Sequence, residues 1–172
     1  MKKEAQIIVT DELEALKQRI INNIRNNGQN ASGRTIASLS VTPPDDIMRL
    51  MAMGDHAPFG TLETGRRGGN VPQNFQSIIL QWMEDKGIAA APMPYIRKPS
   101  AKWQPKYTPE ERGRLSLAAA IAATIKKSGT KLHRTGGRND VYSSEIPTSL
   151  QKIKEQLSIL LKSEVIKSIK LN

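Results

Sequence analysis

Seven aromatic residues in a chain of 172 are the strongest constraint on what this sequence can build. Two Phe, two Trp and three Tyr supply little of the large buried area that aromatic side chains bring to a core. The core must therefore be modest and aliphatic, made of Ile, Leu, Val, Met and Ala. A small core combined with long helical periodicities points to stability shared with neighbouring chains, as in an obligate oligomer.

The helical periodicities are clear. Leu13, Leu16, Ile20 and Ile24 recur at spacings of three and four, which predicts an amphipathic helix over 10–27, with Thr10 as its cap and Gly28 as its stop. Phe75, Ile78, Ile79, Trp82 and Met83 share one face of a second helix over 72–86. "TPEE" is a capping box, with Thr108 as cap and Glu111 reaching back, and it opens the alanine-rich helix "LSLAAAIAATI". Its alanines, Ala119 and Ala122 among them, form a narrow surface against which helix 72–86 is expected to pack closely. Residues 147–170 form the last helix, with Leu150, Ile153, Leu157, Leu160, Leu161 and Val165 on its apolar side.

Strand signals lie between these helices. "TIASLSV" and "IMRLMAM" flank "TPPDD", so residues 35–53 read as a hairpin. "SGTKLHRTGGRNDVYSS" reads as two short extended pieces around Gly136-Gly137. The methionines at 48, 51, 53 and 83 are core filler. The expected architecture is α+β in a single domain, 1–172. It comprises an N-terminal helix, a small antiparallel sheet with a hairpin, a helical hairpin with an extended arm inserted at about 70–128, and a C-terminal helix.

The arm, 88–107, carries Pro92, Pro94, Pro99 and Pro105, with Pro109 just beyond, and should run extended or irregular. Its Tyr95, Trp103 and Tyr107, interleaved with Arg97, Lys98 and Lys102, could stack nucleic-acid bases. The same residues would serve an arm that clasps protein.

The net charge of +10 favours acidic partners, either nucleic acid or another protein, or else marks a solvated basic surface; along the chain the charge reads as dispersed. With no cysteine there is no disulfide frame, thiolate metal site or Cys nucleophile. No apolar run reaches the length of a membrane span, and the start "MKKEAQIIVTDELEAL" does not read as a signal peptide.

The stretch "GTLETGRRGG", 60–69, raises three readings. A phosphate cradle needs a Lys followed by Ser or Thr at a helix start, and none is present. Glu63 as a general acid or base lacks a paired group; a glutamate at a helix end that bonds backbone or an arginine is the better reading. The third is a structural turn, with Ala57–Thr64 as one or two helical turns closed by Gly65. His56 and His133 lack ligand spacing, and no serine sits in a catalytic motif. No catalytic residue, cofactor or metal is expected, and the chain does not read as an enzyme.

The order of these motifs resembles the tail-completion or neck proteins of tailed bacteriophages, which form the head-to-tail connector ring. The N-terminal helix, "SGRTIASLSV", "HAPFGTLETG" with Phe59, Glu63 and Gly65, "IILQWMEDKGI", "LAAAIAATIKKSGTK" and the closing helix follow the family's order over roughly 10–170. Within that family it is similar to ring proteins of crAss-like phages. It departs in its longer Pro-rich arm and in having only Tyr142 and Pro147 before the last helix.

The resemblance implies a virion structural protein at the neck, made in the bacterial host's cytoplasm. It implies self-assembly into a cyclic ring of about twelve copies, with portal, connector and tail proteins as partners and incidental contact with DNA. It also implies that Phe59 and Leu62 pack inward, and that Arg66 and Arg67 meet the next subunit or the connector. Residues expected at subunit or partner contacts are Arg66, Arg67, Tyr95, Arg97, Trp103, Tyr107, Arg134 and Arg138. The alternative is a basic nucleic-acid-binding protein that holds phosphates with the arm and the "KLHRTGGR" loop.

Overall fold

The computed structural model of the chain describes residues 2–42, 50–52, 59–96 and 105–170. They form two compact units. The first unites residues 1–64 with 138–172, and the second is the intervening segment, 65–137. The insertion expected at about 70–128 falls within the second unit.

Unit 1 is built on two long helices, α1 (Lys2–Asn26) and α7 (Glu145–Lys170). Their contacts run in opposite directions along the two sequences. Arg19 of α1 meets Ser149 early in α7, whereas Ile8, nearer the start of α1, lies by Ile159. The core gathers Leu16, Ile20, Ile21 and Ile24 of α1 around Leu39 and Val141, with Leu13, Ile36, Phe59, Leu62 and Tyr142 packed against it. The Phe59 and Tyr142 rings lie 5.2 Å apart in a tilted pair.

The expected α+β class is wrong: the fold is predominantly helical. The only paired strands among the described residues are β1 (Leu39–Val41) and β2 (Leu50–Ala52), three residues each, too short to make a layer. They run antiparallel with Ser40 opposite Met51. Two causes explain why strand signals did not become a sheet. Gly33 adopts φ +80°, and the chain then closes one helical turn, α2 (Arg34–Ala37), where the sequence suggested strand. The segment "KLHRTGGRNDVYSS" likewise holds a short helix, α6 (Lys131–Arg134), capped by Thr130, and then turns. Its backbone N–H groups at 141–143 are taken by a side chain, described below, so they are not available to a partner strand.

Unit 2 is a helical pair. Helix α4 (Phe75–Asp85) presents Phe75, Ile79 and Met83 to α5 (Pro109–Ser128), which answers with Ala118 and, around it, Leu117, Ile121, Ala122 and Ile125. Helix α5 opens with the capping box, Thr108 accepting from Glu111 N and Glu111 from Thr108 N. Ala118 is the fully buried alanine and Ala122 packs beside it, as expected of Ala122, while Ala119, also expected in the seam, is exposed. Ile78 and Trp82, expected on the packed face, stay 45% and 38% exposed.

The described part of the arm lies back on α5. Met93 N donates to Pro109 O at 2.8 Å, and the Ala91 carbonyl sits so close to Gly113 that a Cβ there would be 2.1 Å from its oxygen.

Candidate functional site

Helix α3 (Thr61–Thr64) is one turn long and exists to place Glu63. The carboxylate is 4% exposed. Its Oε1 accepts from the backbone N–H groups of Val141, Tyr142 and Ser143 at 3.0, 2.8 and 2.9 Å, and its Oε2 accepts from the Ser143 hydroxyl. Burial pushes this carboxyl up, but the Ser143 hydroxyl and the three backbone donors outweigh it, and the group ends below the usual glutamate range. Both oxygens are engaged in holding the turn before α7, which leaves no geometry for proton transfer to a substrate. Glu63 is a structural keystone, and the backbone around it is fixed further by Arg138 N donating to Glu63 O and Gln29 Nε2 donating to Leu62 O.

A second polar group joins α1 to α7. Arg19 Nη2 donates to Glu12 Oε1 and Ser149 Oγ. Its Nε lies 3.1 Å from Glu145 Oε2, near enough for charge attraction though not aligned for a hydrogen bond. Glu12 is buried, which pushes its carboxyl up; hydrogen bonding to Arg19 and Ser149 wins and holds it low. Neither cluster resembles a catalytic pair. No group of acids and histidines among the described residues could hold a metal ion, and no described helix is long and apolar enough to cross a membrane. A cleft between α1 and α7 is lined by Ile8, Asp11, Glu12, Gln156 and Ile159, with Glu12 already committed to Arg19.

The residues expected at contacts are dispersed. Arg66 is half-buried; its Nη2 donates to Asn70 O, and its guanidinium lies 5.2 Å from the Phe75 ring centre. Arg67 and Arg134 are exposed. Tyr95 donates to Tyr107 O at 3.0 Å and carries the Arg112 guanidinium 4.3 Å above its ring, while Tyr107 remains 39% exposed. Arg138 is turned into its own unit, donating to both Asp140 oxygens and to Asn27 Oδ1. Arg97 and Trp103 lie outside the described residues, as do His56, Met48 and Met53. Of the expected set, Arg66, Arg67 and Arg134 fall in one place, the loop junction at the base of unit 2.

Sequence reasoning missed the surface of α7. Leu150, Ile159, Leu161, Val165, Ile166 and Ile169 are each more than half exposed. At 3.6 residues per turn, positions nine apart face opposite ways. Leu150 and Ile159 therefore lie on opposite sides of the helix, as do Leu157 and Ile166. Helix α7 presents one flank through Leu150 and Leu161, with half-buried Leu157 on the same side, and another through Ile159 and Ile166; Val165 and Ile169 lie between the two. The signal was present in the sequence, because isoleucines at 159 and 166 break the single-face pattern.

No known protein family, curated protein or solved structure matches this chain.

Proposed function

We propose that this chain is a structural protein that assembles head to tail with further copies of itself through the two flanks of α7. In line with the resemblance to phage neck proteins, the assembly is a ring at the head-to-tail junction, between portal and tail. The observation that carries the reading is the pair of opposed, exposed aliphatic flanks on one helix. Exposed apolar surface of this extent marks an interaction site. Two different patches on opposite sides are what a heterologous interface requires, and such interfaces close into rings when the rotation allows.

The magnitudes suit a concentration-dependent assembly. Removing the exposed half of an aliphatic side chain from water contributes about 1 kcal/mol, so the five side chains of the two flanks, with Leu157 contributing less, supply about 4–5 kcal/mol per interface. That is comparable with the freedom lost on association, about 4 kcal/mol or more. Light-scattering mass across a hundredfold concentration range tests the proposal. Wild-type chain should move from monomer to a discrete higher mass, and Leu161→Lys should remain monomeric with unchanged helix content. A wild-type monomer throughout, or assembly unaffected by Leu161→Lys, would refute it.

A further inference from the structure

The chain's charge is concentrated in unit 2. Residues 65–137 hold thirteen Lys and Arg against four Asp and Glu, a net +9 of the chain's +10; unit 1 holds thirteen against twelve. No Asp or Glu occurs from Thr64 to Met83 or from Arg112 to Asn139. These two acid-free stretches meet. Gly69 N donates to Lys126 O at 2.8 Å, Thr130 N donates to Arg66 O at 2.9 Å, and Arg66 N donates to Thr130 Oγ1 at 3.0 Å.

The crossing is possible only because side chains are missing. A Cβ on Gly129 would lie 2.5 Å from Arg66 O, one on Gly68 would lie 2.9 Å from Lys127 O, and one on Gly65 would lie 2.4 Å from His133 N. Gly65 and Gly129 also hold positive φ, +68° and +79°. The glycines bring together Arg66, Arg67, Lys126, Lys127, Lys131 and Arg134. All but Arg66 are exposed, and none has a carboxylate partner among the described residues.

The four acids of unit 2 are elsewhere. Glu110 and Glu111 open α5, and Glu84, followed by Asp85, lies 4.0 Å from Arg114, near that same end. The sixteen residues of helix from Glu111 to Lys127 put about 24 Å between those ends. The C-terminus of α5 subtracts about half a charge from the six cations, so the junction remains strongly positive.

We propose that this glycine-knotted junction of unit 2 docks on the phosphate backbone of duplex nucleic acid. The chemistry favours phosphate over an acidic protein, since a protein interface needs apolar anchors as well as charge. Here Val71, Ile125 and Leu132 are already partly covered, and neither 65–71 nor 126–137 contains Phe, Tyr or Trp. That lack of a stacking platform also disfavours single strands. Binding is sequence-independent and steeply salt-dependent. The inference stands on the charge of unit 2 and is independent of the α7 interface.

The test is fluorescence anisotropy on a 30-base-pair duplex across salt, comparing two fourfold variants of the full chain. Arg67→Ala, Lys127→Ala, Lys131→Ala and Arg134→Ala together should weaken binding at least tenfold, lowering the log–log salt slope by about 0.9 for each phosphate no longer neutralised. Lys3→Ala, Arg25→Ala, Lys154→Ala and Lys162→Ala remove the same charge from unit 1 and should change affinity twofold or less. A charge-keeping variant, with Arg67→Lys, Lys127→Arg, Lys131→Arg and Arg134→Lys, should bind like wild type and controls for folding. Absent wild-type binding at low salt, or equal weakening by both alanine sets, would overturn the proposal. Knot-dependent binding to polyglutamate as tight as to the duplex would assign the surface to an acidic protein instead.

Discussion

The two units solve the problem of a thin core in different ways. Unit 1 is nearly neutral, ties its elements with buried carboxylates at Glu63 and Glu12, and leaves aliphatic side chains on α7 in water. Unit 2 closes a seam of Phe75, Ile79, Met83 and Ala118 and fits backbone against backbone at its glycines. It carries almost all the net charge. The contrast teaches that α7, whose aliphatic flanks stay in water among the described residues, leaves apolar area for another chain, whereas the α4–α5 pair buries a central seam and leaves Ile78 and Trp82 of α4 only partly exposed. Unit 1 is thus suited to assembly and unit 2 to a polyanion.

The largest effect expected to break or sharpen this contrast comes from Glu63. Glu63→Ala leaves three backbone donors and a hydroxyl unsatisfied, at about 1–3 kcal/mol for each group that stays buried. A total of about 3–5 kcal/mol is expected. Hydrogen exchange should show the loss in α1, α7 and residues 141–143, with α4 and α5 spared. A uniform loss along the chain would mean that the two units melt as one.

Next comes Ala118→Leu, which overpacks the seam of unit 2 at about 1–3 kcal/mol. Ala119→Leu, one position on and exposed, should change stability by less than about 0.5 kcal/mol. Equal effects in thermal melts would place the seam wrongly.

Acid should separate the units too. Folded Glu63 and Glu12 keep their charge to lower pH than free glutamate does. The stability they lend is complete above the ordinary glutamate value, about 4.3, and is lost as pH falls through their lower folded values. Amides at 141–143 should therefore lose protection in that acid window while α4 and α5 keep theirs. Glu63→Gln should flatten the pH dependence; an unchanged acid profile in that variant would assign it elsewhere. The smallest effect is on the monomer itself: Ile159→Lys should shift its melting free energy by less than about 0.5 kcal/mol.

Much of the helical framework was legible because its causes are local. The capping box at Thr108 and Glu111 and the apolar periods of α1 and α4 lie within a few residues of each other. The sheet was misjudged because its competitor is remote. Glu63 takes the donors of Val141, Tyr142 and Ser143 from about eighty residues away in sequence, and no window contains both. Glu63 itself was identified as a bonded glutamate, but its partners could not be. The charge was legible and read as dispersed; only the boundaries at Thr64 and Arg138 show that it belongs to one unit. The six-cation junction was half seen, as Arg66, Arg67 and Arg134, because it takes folding to bring 65–69 beside 126–134.

The central claim is head-to-tail assembly through two different flanks of α7, and mixing complementary variants tests it most directly. Leu157→Lys with Leu161→Lys disables one flank; Ile159→Lys with Ile166→Lys disables the other. Each variant alone should remain monomeric by native mass, and an equimolar mixture should form a discrete dimer containing one copy of each, since one good flank remains on each chain. A mixture that stays monomeric, or a single variant that assembles like wild type, would contradict the claim.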